Sequence, residues 1–169
     1  LRVPKATSLD RNLKKLAKLA PAQDASAVQV PALNTQQQTA VDTISATSAF
    51  CAYLLHGVTG SGKTEVYLQT AARVLARSEQ TQVLILVPEI NLTPQLEGNI
   101  RNRFPGLQIA TLHSGMAEGE RLLHWLAAHT GQARIILGTR LAILSSLPHL
   151  KLIVIDEEHD SSYKQEGDP

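Results

Sequence analysis

The stretch that decides the fold is YLLHGVTGSGKT, residues 53–64. An apolar run leads into a glycine-rich loop ending in Lys63 and Thr64, and the loop fits the phosphate-binding pattern G-x-x-x-x-G-K-[ST]. Glycines let the backbone take positive φ and close around an anion, so that successive N–H groups line a positively polarised concavity. A helix that begins at the loop adds its N-terminal dipole. The stretch therefore predicts a nucleotide site between a strand and a helix.

Individual residues of this loop have expected roles. Lys63 is expected to reach the β- and γ-phosphates, and the Thr64 hydroxyl is expected to bind Mg²⁺. The alternative is a simple glycine-rich turn, but the helix-like EVYLQTAARVLA that follows and the Lys-Thr ending argue against it. The predicted nucleotide contacts of the loop are Gly57, Thr59, Gly60, Ser61, Gly62, Lys63 and Thr64.

The composition is that of an ordinary soluble domain. The chain has 169 residues, 43% of them hydrophobic and 18% charged, which is enough for one domain with a full core. Its net charge of +1 gives no global electrostatic case for nucleic-acid binding, so any such contact must be local. The single cysteine, Cys51, excludes an internal disulfide framework and a multi-cysteine zinc site, and we expect it in the core. The sequence has no membrane-spanning stretch and no secretory signal, which favours a cytoplasmic protein without a membrane partner.

Composition also divides the chain into two regions. Residues 1–32 contain LDRNLKKLAKLA, with leucines on one helical face and lysines on the other, followed by the linker-like PAQDASAVQVPA. The basic face is either a solvated surface or a DNA contact. Residues 33–169 are expected to form the ATP-binding lobe, truncated at its C-terminal end. Because the chain opens with Leu1 rather than Met, we interpret it as an excerpt of a longer protein.

Helices and strands are predicted to alternate from residue 33 onward. Runs of Leu and β-branched residues between helical patterns predict an α/β fold, a RecA-like P-loop lobe with a parallel sheet covered by helices on both faces. Ligands gather at the carboxyl ends of the strands in such sheets. The apolar positions of the helix at 118–129 predict that Leu122, Leu123 and Leu126 are buried. The predicted helices are 33–48, 65–77, 93–103 and 118–129, the strands are 51–56, 83–87, 107–112, 133–138 and 150–156, and a short turn or helix covers 140–146.

The last predicted strand delivers Asp156, Glu157, Glu158 and His159. Asp156 is expected to hold Mg²⁺ directly or through water, and Glu157 to orient and polarise the attacking water. Carboxylates after a strand can also simply cap the next helix. The P-loop and DEEH nevertheless lie in the right order, about a hundred residues apart, which predicts an ATPase rather than a passive binder. His159 is expected to couple the state of the γ-phosphate to the protein.

Three further polar loops follow predicted strands, and each alone would be interpreted as a turn. Their hydroxyls, N–H groups and one arginine can contact a sugar–phosphate backbone without reading bases. Because all three lie at one edge of one sheet, they predict a nucleic-acid track. The candidate residues are Pro88, Glu89, Thr93, His113, Ser114, Thr139 and Arg140.

Taken together, GVTGSGKTEVYL, LVPEINLTPQ, LHSG, ILGTR and IVIDEEHDSSYKQ resemble the primosomal protein N-prime (PriA) family, the bacterial replication-restart DNA helicases of superfamily 2. The resemblance covers about 33 to 166, and DEEHDSSYKQ is its most specific string because general DExH helicases lack it. It implies a first RecA-like motor lobe that uses ATP and Mg²⁺ for 3′-to-5′ unwinding in replication restart and primosome assembly. It also implies binding to forked, D-loop and single-stranded DNA, with other primosome proteins and single-strand-binding protein as partners. Zinc is implied only for family domains outside this segment.

The resemblance also assigns roles to single residues. LNTQQQTAV resembles the family's opening motif and makes Gln37 the candidate adenine contact. SSYKQE resembles the start of an aromatic-rich loop, in which Tyr163 and Lys164 would link DNA to ATP hydrolysis. Two positions depart from the family pattern: Asn91 stands where Gly is usual, and Leu141 where Ser is usual.

Two other functions remain open. The lobe could belong to another superfamily 2 nucleic-acid translocase, although the residues after DEEH favour the restart helicases. It could also be a P-loop module that senses nucleotide without hydrolysing it, but such a sensor has no need of the Glu157 carboxylate. Residues 1–32 fit the end of an upstream winged-helix domain plus a linker.

Overall fold

The computed structural model of the chain describes residues 30–58 and 60–164. The basic helix and most of the linker predicted for residues 1–32 lie outside the described residues. So do the P-loop residue Thr59 and the end of the SSYKQE segment. The predicted boundary between the two regions therefore stays a prediction.

The described residues form four α-helices and four strands that alternate after the P-loop. Short 3₁₀ turns follow β1, β3 and β4, at Glu89–Asn91, Arg140–Leu144 and Ser161–Tyr163. The main elements are α1 (Thr35–Ala46), α2 (Lys63–Leu75), β1 (Gln82–Leu86), α3 (Pro94–Arg103), β2 (Ile109–Leu112), α4 (Glu118–His129), β3 (Ile135–Gly138) and β4 (Leu150–Ile155).

The four strands form one parallel sheet in the order β2-β3-β1-β4. Ile85 of the central strand β1 is aligned with Leu137 on one side and with Val154 on the other. Parallel strands need crossover connections; α3 and α4 supply them from β1 to β2 and from β2 to β3, and the segment from β3 to β4 contains the 3₁₀ turn Arg140–Leu144. The predicted α/β fold with a parallel sheet is therefore confirmed.

Helices cover both faces of the sheet because neighbouring residues of the buried strands point to opposite sides. Ile85 lies in one apolar cluster with Val74 of α2 and Ile100 of α3. Leu84 lies in the second cluster, which contains Ala128 of α4. Both strand residues are fully buried, so truncating either to Ala is expected to cost about 2–5 kcal/mol. This two-sided core fixes the strand ends that carry the candidate site.

Helix starts follow the capping signals in the sequence. The Asn34 side chain accepts from the Gln37 N–H, and the Gln37 side chain accepts from the Asn34 N–H, which makes a capping box at the start of α1. The Thr93 hydroxyl accepts from the Leu96 N–H at 3.2 Å, and Pro94 occupies the first turn of α3. The helix predicted at 93–103 is therefore confirmed.

The predicted strand at 51–56 is wrong for this structure, because residues 51–58 have no regular secondary structure. Leu54 is 74% exposed, and Cys51, which we expected in the core, is exposed as well. A strand is stabilised by pairing with a neighbour, and within the described residues β4 pairs only with β1. An apolar run shows that a segment is suited to burial, but it does not show that the segment is buried in the fold.

The predicted buried side of α4 is confirmed for Leu123 and Leu126, which pack against the second apolar cluster, but not for Leu122. Ala127 and Ala128 are its buried residues, whereas Leu122 is 38% exposed and Leu123 and Leu126 are partly buried. Small alanines let α4 approach the sheet closely, and the larger leucines lie at the margin of the contact. No helix among the described residues is both long enough and apolar enough to cross a bilayer.

Candidate nucleotide and nucleic-acid site

The glycine-rich loop has the backbone shape that the P-loop pattern predicts. Gly60 and Gly62 have φ values of 78° and 80°, and α2 begins at the next residue, Lys63. A Cβ on Gly62 would lie 2.4 Å from Nε2 of Gln37. The left-handed backbone therefore favours glycine at position 62, and a Cβ there would also displace the end of the flexible Gln37 side chain.

Side chains from the loop and from α1 hold this loop in place. Lys63 donates from Nζ to the carbonyl oxygens of Gly57 at 2.7 Å and Val58 at 3.2 Å. Gln37 donates from Nε2 to the Ser61 carbonyl at 2.9 Å. The Lys63 ammonium group thus lies against the carbonyl groups of its own loop, and its contact with phosphate stays a prediction. Because Gln37 already contacts the P-loop and α1, its adenine role stays a prediction.

The end of β4 lies beside the helix that starts at the P-loop. Tyr67 of α2 donates its hydroxyl to Oδ2 of Asp156 at 3.4 Å. Burial raises the pKa of Asp156, and the negative charge of Glu157 adds to this, whereas the positive charge of Lys63 acts in the opposite direction. In the structure the charges of Asp156 and Lys63 are therefore close enough to interact, although the two residues lie 93 positions apart in the sequence.

Sequence analysis missed Tyr67, which sits between the two candidate magnesium ligands. It follows Lys63 by four positions and Thr64 by three, and this spacing places it on their face of α2. Burial first, and then the charge of Asp156, raise its pKa to about 12, while the Thr64 hydroxyl lowers it. The helical spacing was the signal that could have identified this residue.

Glu157 has an unusual backbone conformation. Its φ of 49° is the only positive value among the described residues other than glycine. For a non-glycine residue this left-handed conformation costs about 1–2 kcal/mol, and such strain concentrates at functional sites. The carboxylate is partly exposed, with Oε2 3.4 Å from Nε2 of His159, whose side chain is 74% exposed. The chain thus turns sharply after β4 and presents Glu157 to solvent, with His159 beside it.

The residues present fit a magnesium site completed by a nucleotide. The Thr64 hydroxyl and the Asp156 carboxylate are the oxygen ligands that Mg²⁺ prefers, and P-loop proteins bind it with few protein ligands plus phosphate. The described residues contain no cluster of three or more His, Cys, Asp or Glu side chains able to hold a metal ion alone. The nucleotide would therefore have to supply part of the coordination.

The structure joins two of the predicted track loops. Ser114, after β2, donates its hydroxyl to Oε1 of Glu89, after β1, at 3.3 Å. His113, which directly precedes Ser114, is half-buried, and its Nδ1 accepts from the Gly115 N–H at 3.2 Å. Ser114 and Glu89 are exposed and remain accessible to a bound strand.

Other predicted track residues are less accessible. Pro88 is buried, and Thr139 is only 1% exposed, with a hydroxyl that has no hydrogen-bond partner among the described residues. The exposed Thr93 hydroxyl is occupied in capping α3. Contact of Pro88 or Thr139 with a nucleic acid therefore requires a rearrangement, whereas the Thr93 hydroxyl, which accepts from the Leu96 N–H, can still donate a hydrogen bond. The proposed role of all three stays a prediction.

The third loop contacts the segment that follows the acidic motif. Arg140 donates from Nη1 to the Lys164 carbonyl at 2.9 Å. Tyr163 packs against the second apolar cluster and donates its hydroxyl to the main-chain carbonyl of Asp156 at 2.8 Å. Asp160 caps this turn by accepting from the Ser162 N–H at 2.8 Å. A continuous set of contacts thus links the loop after β3 to the end of β4.

The half-buried Tyr163 is not presented as a free surface for stacking. Its ring faces the core, and its hydroxyl donates to the main-chain carbonyl of Asp156, whose carboxylate is a candidate magnesium ligand. A base could stack on this ring only if Tyr163 left the apolar cluster, so the predicted role of Tyr163 toward DNA stays a prediction. A role in transmitting movement from the loop to Asp156 fits the contacts better.

Comparison with known proteins identifies the motor type. The DEAD/DEAH box helicase family matches residues 34–168 of the chain. The chain belongs to the DEAD/DEAH box helicase family. Membership implies nucleotide binding, and the P-loop and the acidic turn after β4 are therefore parts of a helicase motor lobe.

Curated relatives of this helicase lobe include three named replication restart protein PriA. The protein from Synechocystis sp. is 49% identical over 140 residues, covering 83% of this chain and 16% of the relative. The Bacillus subtilis protein is 50% identical over 117 residues, covering 69% of this chain and 14% of the relative. The Haemophilus influenzae protein is 47% identical over 134 residues, covering 79% of this chain and 18% of the relative. The helicase lobe thus spans less than a fifth of the length of these relatives.

The structure accounts for one departure from the family pattern. Asn91 lies in the 3₁₀ turn after β1 and does not have positive φ, so the backbone does not require glycine there. Its N–H donates to the Pro88 carbonyl at 2.9 Å. Leu141, in the turn after β3, is 48% exposed and lines an open cleft of about 250 Å³ with Trp125 and Arg121 of α4.

Proposed function

We propose that this is the ATP-binding and ATP-hydrolysing motor lobe of a 3′-to-5′ DNA helicase. It would act on branched DNA in replication restart and primosome assembly. The observation that carries the proposal is the approach of the DEEH turn to the P-loop helix, where Tyr67 contacts Asp156 at 3.4 Å. The relatives named replication restart protein PriA supply the biological setting.

In the proposed reaction the P-loop binds the nucleotide phosphates. N–H groups of the loop and the dipole of α2 face the phosphate oxygens, and the Lys63 ammonium exchanges its carbonyl partners for the β- and γ-phosphates. Thr64 and Asp156 would hold Mg²⁺, which would supply neutralisation of the phosphate charge. Glu157 orients the attacking water and accepts its proton.

The proposed DNA track runs along the carboxyl edge of the sheet. Its exposed members are Glu89, Thr93, Ser114 and Arg140. The Arg140–Lys164 and Tyr163–Asp156 hydrogen bonds support a coupling in which a strand bound at the edge shifts the DEEH turn. Forked, D-loop and single-stranded DNA are the proposed ligands. Primosome proteins and single-strand-binding protein are the proposed partners, in the cytoplasm.

One experiment tests this function. A full-length protein containing the lobe is assayed for ATP hydrolysis with forked DNA and with fork-shaped RNA of the same sequence. Unwinding is followed on partial duplexes with either a 3′ or a 5′ single-stranded tail. We expect stimulation by DNA and unwinding from the 3′ tail. Equal stimulation by RNA would favour another superfamily 2 translocase, and nucleotide binding without turnover would favour a sensor module.

The contacts of Tyr163 lead to a prediction on coupling. Tyr163→Ala removes the hydrogen bond to the Asp156 carbonyl and should lower DNA-stimulated ATPase much more than basal ATPase. We expect the stimulation ratio to fall roughly fivefold or more, within the usual range of coupling between two sites. DNA affinity, measured at fixed salt, should change little because other contacts remain.

The exposed Tyr53 provides the matched control, and Tyr53→Ala should leave the stimulation ratio unchanged. Tyr163→Phe separates the hydroxyl from the packed ring. If the ratio is the same in Tyr163→Ala as in the wild-type protein, Tyr163 only fills the apolar cluster.

A further inference from the structure

The hydroxyl of Tyr67 has no role in the function described so far. The ring belongs to the apolar cluster between α2, α3 and the sheet, and the residue is only 8% exposed. A phenylalanine would fill the same space without bringing a polar group into the core. A buried hydroxyl needs a hydrogen-bond partner, so its partner indicates what the hydroxyl does.

That partner is one oxygen of a single carboxylate. Tyr67 donates to Oδ2 of Asp156, and the backbone of Glu157 also forms a hydrogen bond to this carboxylate. The Thr64 hydroxyl lies close enough to interact with the same phenol. Tyr67 therefore stands between the two side chains that would hold the metal ion, on the helix that carries one of them.

We propose that Tyr67 is a positioning residue for Mg²⁺, whose hydroxyl fixes the Asp156 carboxylate in the orientation in which it meets the metal ion beside Thr64. The inference rests on the proposed nucleotide site. Hydrogen-bond partners behind a metal ligand fix its orientation, and their loss usually lowers metal affinity about 10–100-fold.

Tyr163 contacts the same residue in a different way. Its hydroxyl donates to the main-chain carbonyl of Asp156, whereas the Tyr67 hydroxyl donates to the side chain. The two phenols thus constrain different parts of Asp156: Tyr163 constrains the path of the chain, and Tyr67 the direction of the carboxylate. Only the Tyr67 hydroxyl is expected to affect metal affinity.

The test is Tyr67→Phe in a full-length protein containing the lobe, which removes one oxygen and keeps the packed ring. Binding of a fluorescent, non-hydrolysable ATP analogue is titrated with Mg²⁺, and also measured in excess chelator. We expect the half-saturating Mg²⁺ concentration to rise about tenfold or more, with chelator-state binding unchanged. Raising Mg²⁺ should restore ATPase activity.

Tyr53→Phe serves as the matched control, because its hydroxyl contacts Thr47, away from the site. Thermal unfolding of each variant shows whether the core is intact. A normal Mg²⁺ titration in Tyr67→Phe, with Mg²⁺-dependent binding in the wild-type protein, would overturn the positioning role alone. Absence of Mg²⁺-dependent analogue binding in the wild-type protein would overturn the proposed function as well.

Discussion

Replacing Lys63 by alanine is expected to abolish ATP hydrolysis while leaving binding to branched DNA largely intact. In the structure the ammonium group lies over the P-loop, held by the carbonyls of Gly57 and Val58. Its loss removes the positive charge that faces the transferring phosphoryl group. Loss of one such electrostatic contact typically costs about 10²–10³ in rate. The exposed track residues Glu89, Thr93, Ser114 and Arg140 are not altered.

The measurement is steady-state ATPase with and without forked DNA, alongside a DNA-binding curve at fixed salt. Lys151→Ala is the matched control, since Lys151 is an exposed lysine in β4. It removes the same charge without touching the P-loop and should retain turnover. Near-normal DNA-stimulated turnover by Lys63→Ala would remove the basis of the proposed function.

Replacing Glu157 by glutamine should separate binding from hydrolysis. Glutamine preserves size and hydrogen bonding but cannot take a proton from water. We expect retained binding of Mg-ATP and a rate of hydrolysis lower by roughly two orders of magnitude or more, as for loss of a general base. Because glutamine has a Cβ like glutamate, the strain of the left-handed backbone at position 157 is unchanged.

Glu158→Gln is the control for this variant, since Glu158 is the neighbouring exposed carboxylate. Nucleotide binding is measured by equilibrium titration and hydrolysis by single-turnover assay, so that the two quantities are independent. If binding and hydrolysis fall together in Glu157→Gln, Glu157 is structural, and Asp156 or another group carries the chemistry.

The sequence was sufficient to predict the features that depend on local patterns. The P-loop shape follows from its glycines. At Gly62, for example, positive φ and close packing explain why the residue is glycine. The strands β1 to β4 and the helices α1 to α4 follow from apolar periodicity and from caps such as Thr93. The order and spacing of the P-loop and DEEH predicted an ATPase, and the contact of Tyr67 with Asp156 brings the helix after the P-loop to the DEEH turn.

Other features depend on contacts between distant segments, which periodicity does not report. The apolar run at 51–56 resembles a strand, but without a neighbour in the sheet it forms none. In the sequence Tyr67 is an ordinary helix residue. Only the fold shows that the end of β4 places Asp156 next to its hydroxyl. Tyr163 reads as part of a polar loop, yet its ring packs against the core.

The free edge of β4 has a practical consequence for anyone who produces this lobe. Ile153 and Ile155 are 43% and 52% exposed, and within the described residues β4 has a strand neighbour on one side only. An exposed strand edge with apolar side chains is a template for pairing with a second chain, and Lys151 is the one charged side chain of β4 that opposes it. Concentrated samples of the isolated lobe are therefore prone to edge-to-edge aggregation, and a further charge at position 153 or 155 would be the first change to make for crystallisation.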